Sequence, residues 1–310
     1  MNYQIKIFFG LVLAGLFFFW SCQSANSQQT KNEPFSSDEF GKYWYQGKAE
    51  LNRYHLDQAR YGEIHSGDAV LIFVTEDFWS DKQVKYEQGP KTDAVVSVLK
   101  LNSVRKFYTG VYPYSMMTSV FTPIGSPFPT LKLTNSSQEW CGHTYLQLNF
   151  RKSHYKGFLH SYFQEEVFEE YDLPEALLED ELWLKIRINP GRLPQGDIRI
   201  IPGAHYLRFR HQSPEVQSAK ATLTTTLNTE FSRDSLYQYT VQYEDIKRSL
   251  TIYFTREAPY EIVGWEETHL SGFRNPRVLT TRAVRTHHLW LDYWRRNSVA
   301  DSTYRKMLGL

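Results

Sequence analysis

Apolar residues recur along this chain in alternating or continuous blocks of strand length, separated by turn-forming residues. The first series predicts strands at residues 49–56, 60–65, 70–75, 94–101, 106–112, 115–121, 131–133 and 142–150. Ser66-Gly67-Asp68 reads as a tight turn that folds 60–65 and 70–75 into a hairpin. Pro123, Pro127 and Pro129 mark an irregular loop. A second series predicts strands at 198–201, 205–210, 221–227, 236–243, 249–255, 260–265 and 277–283, joined by short polar links. Helical spacing is confined to two places. In 172–188, Asp172 can cap, Pro174 sits in the first turn, Glu175 completes a capping box, and Leu178, Leu182, Trp183 and Ile186 form a stripe. The other place is a short segment, 288–296, near the C-terminus. The fold class expected is mainly β: a long curved antiparallel meander, either a half-barrel or two sheets, with one packed helix and a short C-terminal helix.

The N-terminal pattern is different. One basic residue, Lys6, precedes an apolar run over 7–20, and Ser21 stands immediately before Cys22. Fourteen residues are too few for a bilayer span, which takes ~20, and match the apolar core of a secretory signal. The next dozen residues are polar and without period, the composition of a flexible tether. The organisation expected is therefore a signal peptide over 1–21, a lipidated tether over 22–35 and a single β-rich domain over 36–310. The Ser21-Cys22 step resembles a lipobox, in which the cysteine receives a diacylglyceryl group, although Phe19 and Trp20 depart from the usual residues. Gln23 stands where an aspartate would signal inner-membrane retention, so the resemblance implies an outer-membrane lipoprotein on the periplasmic or cell-surface side.

Composition narrows the partners. The whole chain has 35 basic and 34 acidic residues, and the signal carries one of the basic ones. A mature chain so balanced argues against nucleic acid, whose phosphates select a basic surface. The chain has two cysteines, and with Cys22 committed to lipid, Cys141 has no intramolecular disulfide partner. The chain is rich in aromatics, 21 Tyr, 20 Phe and 8 Trp, which suits half-buried sheet faces and also surfaces that stack on sugars or lipids.

Several segments resemble a family of uncharacterised lipoproteins from flavobacteria and their relatives. They are Lys42-Tyr43-Trp44-Tyr45-Gln46-Gly47-Lys48-Ala49-Glu50, Gln58-Ala59-Arg60-Tyr61-Gly62-Glu63-Ile64-His65, residues 71–78, Gln138-Glu139-Trp140-Cys141-Gly142 and Glu181-Leu182-Trp183. Members of that family are sometimes labelled septum formation inhibitor Maf. True Maf proteins are nucleotide pyrophosphatases with a Ser-rich, Arg-containing phosphate motif near the N-terminus; here the signal and tether occupy that place, so the label implies no such activity. The meander-plus-helix layout also resembles lipoprotein-carrier half-barrels, a likeness of architecture alone.

Candidate chemistry is thin. Cys141 and His143, two apart on a predicted strand, share a face and form a possible nucleophile and base, against the simpler reading of a buried structural cysteine. Glu63 and His65, with Glu76 and Asp77 across the predicted hairpin, offer oxygen and nitrogen ligands for Zn²⁺ or Ca²⁺, against a solvated polar face. Glu261, Trp265, Glu267 and His269 line one strand face, where carboxylates could act on a glycan with a partner from elsewhere. His287-His288 is a weak metal signal, and Asp234-Ser235-Leu236 and Asp301-Ser302-Thr303 resemble short O-glycosylation acceptors. No cofactor is implied. The function expected is a membrane-anchored binding, carrier or assembly lipoprotein for an apolar ligand or an envelope protein; the alternative is an envelope hydrolase using Cys141/His143 or a carboxylate pair. Replacing Cys22→Ser should shift the protein from the membrane pellet to the soluble fraction, and mass spectrometry of the native chain should find an acylated N-terminus at Cys22; an unmodified N-terminus overturns the lipid assignment.

Overall fold

Strand after strand alternates buried and exposed residues with period two, so each has a core-facing and an outer row. The computed structural model describes residues 37–125 and 129–310. The expected signal, Cys22 and the tether lie outside the described residues. Helix α1 (Ser37–Trp44) leads into β1 (Ala49–Arg60), β2 (Glu63–Trp79), β3 (Val84–Lys85), β4 (Val95–Thr109), β5 (Tyr112–Pro123), β6 (Lys132–Glu139), β7 (Gly142–Arg151), β8 (His154–Ser161) and β9 (Phe168–Pro174). Next come β10 (Leu177–Leu178), α2 (Leu182–Ile188), β11 (Gly196–Ile201), α3 (Ala204–Arg210), β12 (Gln217–Thr226), β13 (Leu236–Tyr243), β14 (Ser249–Thr255), β15 (Ile262–Ser271), β16 (Arg277–Leu291) and α4 (Ser302–Met307).

All sixteen strands belong to one open curved sheet. Its spatial order runs from β10 through β16, then from β1 to β9, with β3 as a spur on β2. Every pairing is antiparallel except β10 with β11. The two outermost strands, β9 and β10, are separated in the chain only by Glu175 and Ala176. Chain reach limits Pro174 and Leu177 to ~11 Å apart, so the sheet must curl until its far edges face each other. The result is a barrel-like body left unsealed by backbone pairing along one seam.

The inward rows build the core. Tyr54, Leu71, Leu101, Val120, Leu133, Leu148 and Tyr155 from one half meet Tyr239, Val241, Ile252, Phe254 and Trp265 from the other. Small inward residues, Ala69, Ala219, Ala221 and Ala283, leave width for the helices. A barrel of this strand number encloses a lumen unless something fills it. Here α2 and α3 fill it: Leu182, Trp183, Leu184, Ile186 and Arg187 of α2 are buried, as are all the residues of α3 from Ala204 to Phe209. At the lower rim, where β1 begins and β16 ends, α1 inserts Phe40 and Trp44 into the core, and Trp44 packs on Phe73 and Trp290. On the outer surface Leu308, just after α4, covers Leu51, Val70 and Val74.

The structure corrects several expected elements. Residues 63–79 form one uninterrupted strand, and the reversal lies earlier, at Tyr61 and Gly62, both with positive φ (55° and 83°), the geometry of a two-residue hairpin turn. Gly67 is not a turn residue. It lets β4 approach: a Cβ there would lie 2.6 Å from Phe107 Cβ and would also strike the Lys106 carbonyl. The expected 172–188 helix shrinks to α2. Asp172 instead pairs across the sheet with Lys156 at 2.9 Å, and Glu169, Tyr171 and Leu173 alternate inward, so 168–174 is a strand. Residues 205–210 form a helix rather than a strand, and β16 continues to Leu291 where a terminal helix was expected. Strands 94–101 and 106–112 merge into β4.

Replacing Gly67→Ala should destabilise the chain by ~1–3 kcal/mol through overpacking. An unchanged urea midpoint would show that β2 and β4 are not in tight contact there.

Candidate functional site

Several turns converge on the upper rim: β1–β2, β4–β5, β6–β7, β8–β9 and β15–β16, joined by the exit of α3. There a cleft of about 690 Å³ opens beside the seam. One wall is the β8–β9 loop with Phe163, Gln164 and Glu165, continued by Glu169 at the start of β9. The other is the α3 exit, Arg210 to Ser213, and Phe273 of the β15–β16 turn. His211 ends α3 in the left-handed conformation (φ 51°, ψ 51°), which turns the chain out of the barrel toward β12.

Side chains, not backbone, join the two walls. Glu166 accepts a hydrogen bond from Arg208 Nη1 at 2.6 Å and from Ser161 Oγ at 3.0 Å, and its other oxygen lies 2.7 Å from His211 Nδ1. Ser213 Oγ donates to Glu169 at 2.8 Å. Burial pushes the Glu166 carboxyl up, but the hydrogen bond and charge of Arg208 outweigh it and hold it below the usual carboxylate range. Burial, aided by Arg208, outweighs the nearby Glu166 carboxylate and keeps His211 below the usual imidazole value. Arg210 Nη1 donates to the Gly272 carbonyl at 3.1 Å, which fixes the β15–β16 turn against the α3 exit.

Deeper in the barrel lies a second polar assembly. Glu267 pairs with Arg105, and Glu179 with Arg248, all four buried. Burial would raise the Glu267 carboxyl, yet Arg105 and Arg248 overcome this and hold it at about 2. Asp180 behaves oppositely. Burial, reinforced by the charge of Glu179, pushes it up to about 7, although it accepts the Ala204 N–H at 2.8 Å and so caps the start of α3. His205, buried beside Arg105, is held well below the imidazole range. Near the lower rim Arg187 binds both oxygens of Glu50, one at 2.7 Å, while Asn52 donates to the same carboxylate at 2.7 Å. Such pairs set which side chains face one another, and removing one partner costs about 3–5 kcal/mol.

The residues singled out from sequence are dispersed. Cys141 is exposed in the two-residue β6–β7 turn rather than in a strand, so the reading of a buried structural cysteine is corrected. His143 lies outward on β7, and among the described residues no hydrogen bond joins the two. Glu63 is exposed at the start of β2, and His65 Nε2 bonds the Arg60 carbonyl at 3.1 Å. Glu76 and Asp77 sit near the other end of the same strand, ~35–45 Å away along it, so the proposed ligand set does not assemble. No metal-holding group of three or more His, Cys, Asp or Glu side chains occurs among the described residues. Trp265, Glu267 and His269 do share a face, but it is buried and inward; Glu261 lies outside the strand and pairs with Arg285 at 2.9 Å. His287 lies 3.5 Å from Arg53, whereas His288 is exposed. Ser235 and Ser302 are both exposed.

Sequence reasoning missed the cleft itself. Its walls come from three segments far apart in the chain, and the alternation over 205–210 predicts a strand where α3 delivers Arg208 and leads into His211. Comparison with models of known families, with characterised proteins and with solved structures finds no match.

The Asp180 carboxyl titrates higher in the folded chain than its ordinary 3.8, so the folded state binds that proton more tightly. Its contribution to stability therefore declines as pH rises from about 4 to about 7 and is level above. Asp180→Asn should lie closer to wild type at pH 5 than at pH 8, where the variant gains, as read from urea midpoints; an identical difference at both values shows that Asp180 does not titrate in this window.

Proposed function

We propose that this chain is a membrane-anchored envelope protein that binds its ligand in the upper-rim cleft rather than inside the sheet. The carrying observation is the cleft at the seam, walled by exposed polar and aromatic side chains from three separate segments. The interior offers less support for carriage of an apolar cargo, because its concave face is lined by the chain's own helices and core. The N-terminal pattern supports the location: a signal-like apolar run, the lipobox-like Ser21-Cys22 step and a polar tether fit an outer-membrane lipoprotein. The likeness to the flavobacterial lipoprotein family agrees with that placement and carries no activity. For the hydrolase alternative, Cys141 and His143 lack the contact that would make the thiol a nucleophile.

A photo-crosslinking residue at Gln212, in the cleft wall, should trap a specific adduct in intact cells. The same residue at Lys220, exposed on the outer face of β12, should not. Absence of an adduct at Gln212, or the same adducts at both positions, defeats the binding reading.

A further inference from the structure

Six aromatic side chains form an arc across the upper rim, ring to ring except between Tyr61 and Tyr112, which meet through their hydroxyls. Phe163 meets His211 with centroids 4.9 Å apart, and His211 meets Phe273 at 5.7 Å. Phe273 reaches Tyr61 at 6.2 Å. The Tyr112 hydroxyl donates to that of Tyr61 at 3.2 Å, and the Tyr112 ring lies near-parallel to Trp140 at 6.4 Å. Six different segments supply one ring each. Trp140 is 71% exposed and Phe273 53%. Single exposed aromatics are ordinary on protein surfaces, whereas a contiguous row marks an interaction site.

The groups beside the rings indicate what would lie there. At the cleft end the arc is bordered by Gln164, Glu165, Glu169, Arg210 and Gln212. Amide, carboxylate and guanidinium groups are planar and hold two polar atoms side by side, a spacing that matches neighbouring hydroxyls on a pyranose ring. The aromatic faces suit the C–H faces of the same ring. A lipid surface would instead call for basic residues among aliphatic ones, and here two carboxylates stand at the opening. A protein partner's anchors need fully desolvated pockets, whereas this arc is interleaved with ionisable groups. A volume of about 690 Å³ lies in the range of small-ligand sites.

We propose that the arc and cleft together bind an extended glycan of neutral or N-acetylated hexose units, with its end in the cleft and its length along the rings toward Trp140. This rests on the reading of the cleft as the recognition site and names its ligand class.

The test is calorimetric titration of the detergent-solubilised full chain with tri-N-acetylchitotriose, maltotriose and cellotriose, with phosphatidylglycerol vesicles as a fourth probe. At least one sugar should bind saturably with a Kd of about 1 mM or tighter. Phe273→Ala and Glu169→Gln should each weaken it at least about tenfold, and Tyr145→Ala, on the outer face, should leave it unchanged. Both altered side chains are at least partly exposed, and circular dichroism confirms that the variants are folded. Binding to none of the sugars, binding to vesicles alone, or sugar binding untouched by the two rim variants overturns the proposal. The Gln212 adduct separates this from the broader reading: a protease-sensitive adduct without sugar binding removes the glycan and keeps the binding site, while the absence of both removes both.

Discussion

Glu175 and Ala176 impose the constraint on which the rest of this architecture depends. They join the two outermost strands of a very long sheet, so those edges cannot lie at opposite ends of a flat or gently bent surface. Strand twist supplies the curl, and the short link determines how far it proceeds. Once the edges face each other, the concave surface becomes an interior, and an interior of this strand number is too wide for side chains alone. The same passage of chain that crosses between the edges then supplies the filling, because α2 and α3 follow directly from it.

That filling explains the unusual polarity of the core. Helices enclosed on all sides bring their ends into the low-dielectric interior, where unsatisfied peptide groups are expensive. Asp180 answers the first N–H of α3, and Gly203 before it leaves no room for a side chain, since a Cβ would meet the Glu179 carboxylate. Arg105, Arg187 and Arg248 reach across from strand, helix and turn to carboxylates on other elements. Arg187 ties α2 to β1, Arg248 ties the β13–β14 turn to the segment just before α2, and Arg105 joins β4 to β15 across the interior. These pairs also occupy the space a cargo would need, which turns attention to the rim, where the walls are held together by Glu166, Arg208, His211 and the Glu169–Ser213 bond.

The sheet was legible from sequence wherever one row is apolar. The boundaries of β13 and β14 follow directly from their alternation, and the meander order follows from short polar links. It was not legible where an inward row is polar. Glu169 and Tyr171 hide β9, and the Asp172-Leu173-Pro174-Glu175 spacing imitates a helix start although Asp172 is engaged with Lys156. Gly67 looks like a turn residue because local sequence does not reveal that a neighbouring strand presses on it. Residues 205–210 alternate well enough to pass for a strand, yet they form a helix buried from Ala204 to Phe209. The cleft shares this fate: Phe163, His211 and Phe273 acquire meaning through curvature, and no local spacing unites them.

The position of α1 sets the end of the barrel at which the described chain begins. This helix closes the lower rim, so the described chain begins at the end of the barrel opposite the cleft. Were Cys22 lipidated, as proposed, a flexible coil of the tether's length would keep Ser37 within ~20 Å of the bilayer. A ten-residue strand such as β7 adds ~33 Å beyond it. The aromatic arc would then stand clear of the headgroups, facing outward like the tip of a post. Molecules lying in the anchoring membrane would pass beneath it, and those meeting it would be polymers or proteins that occupy the space above.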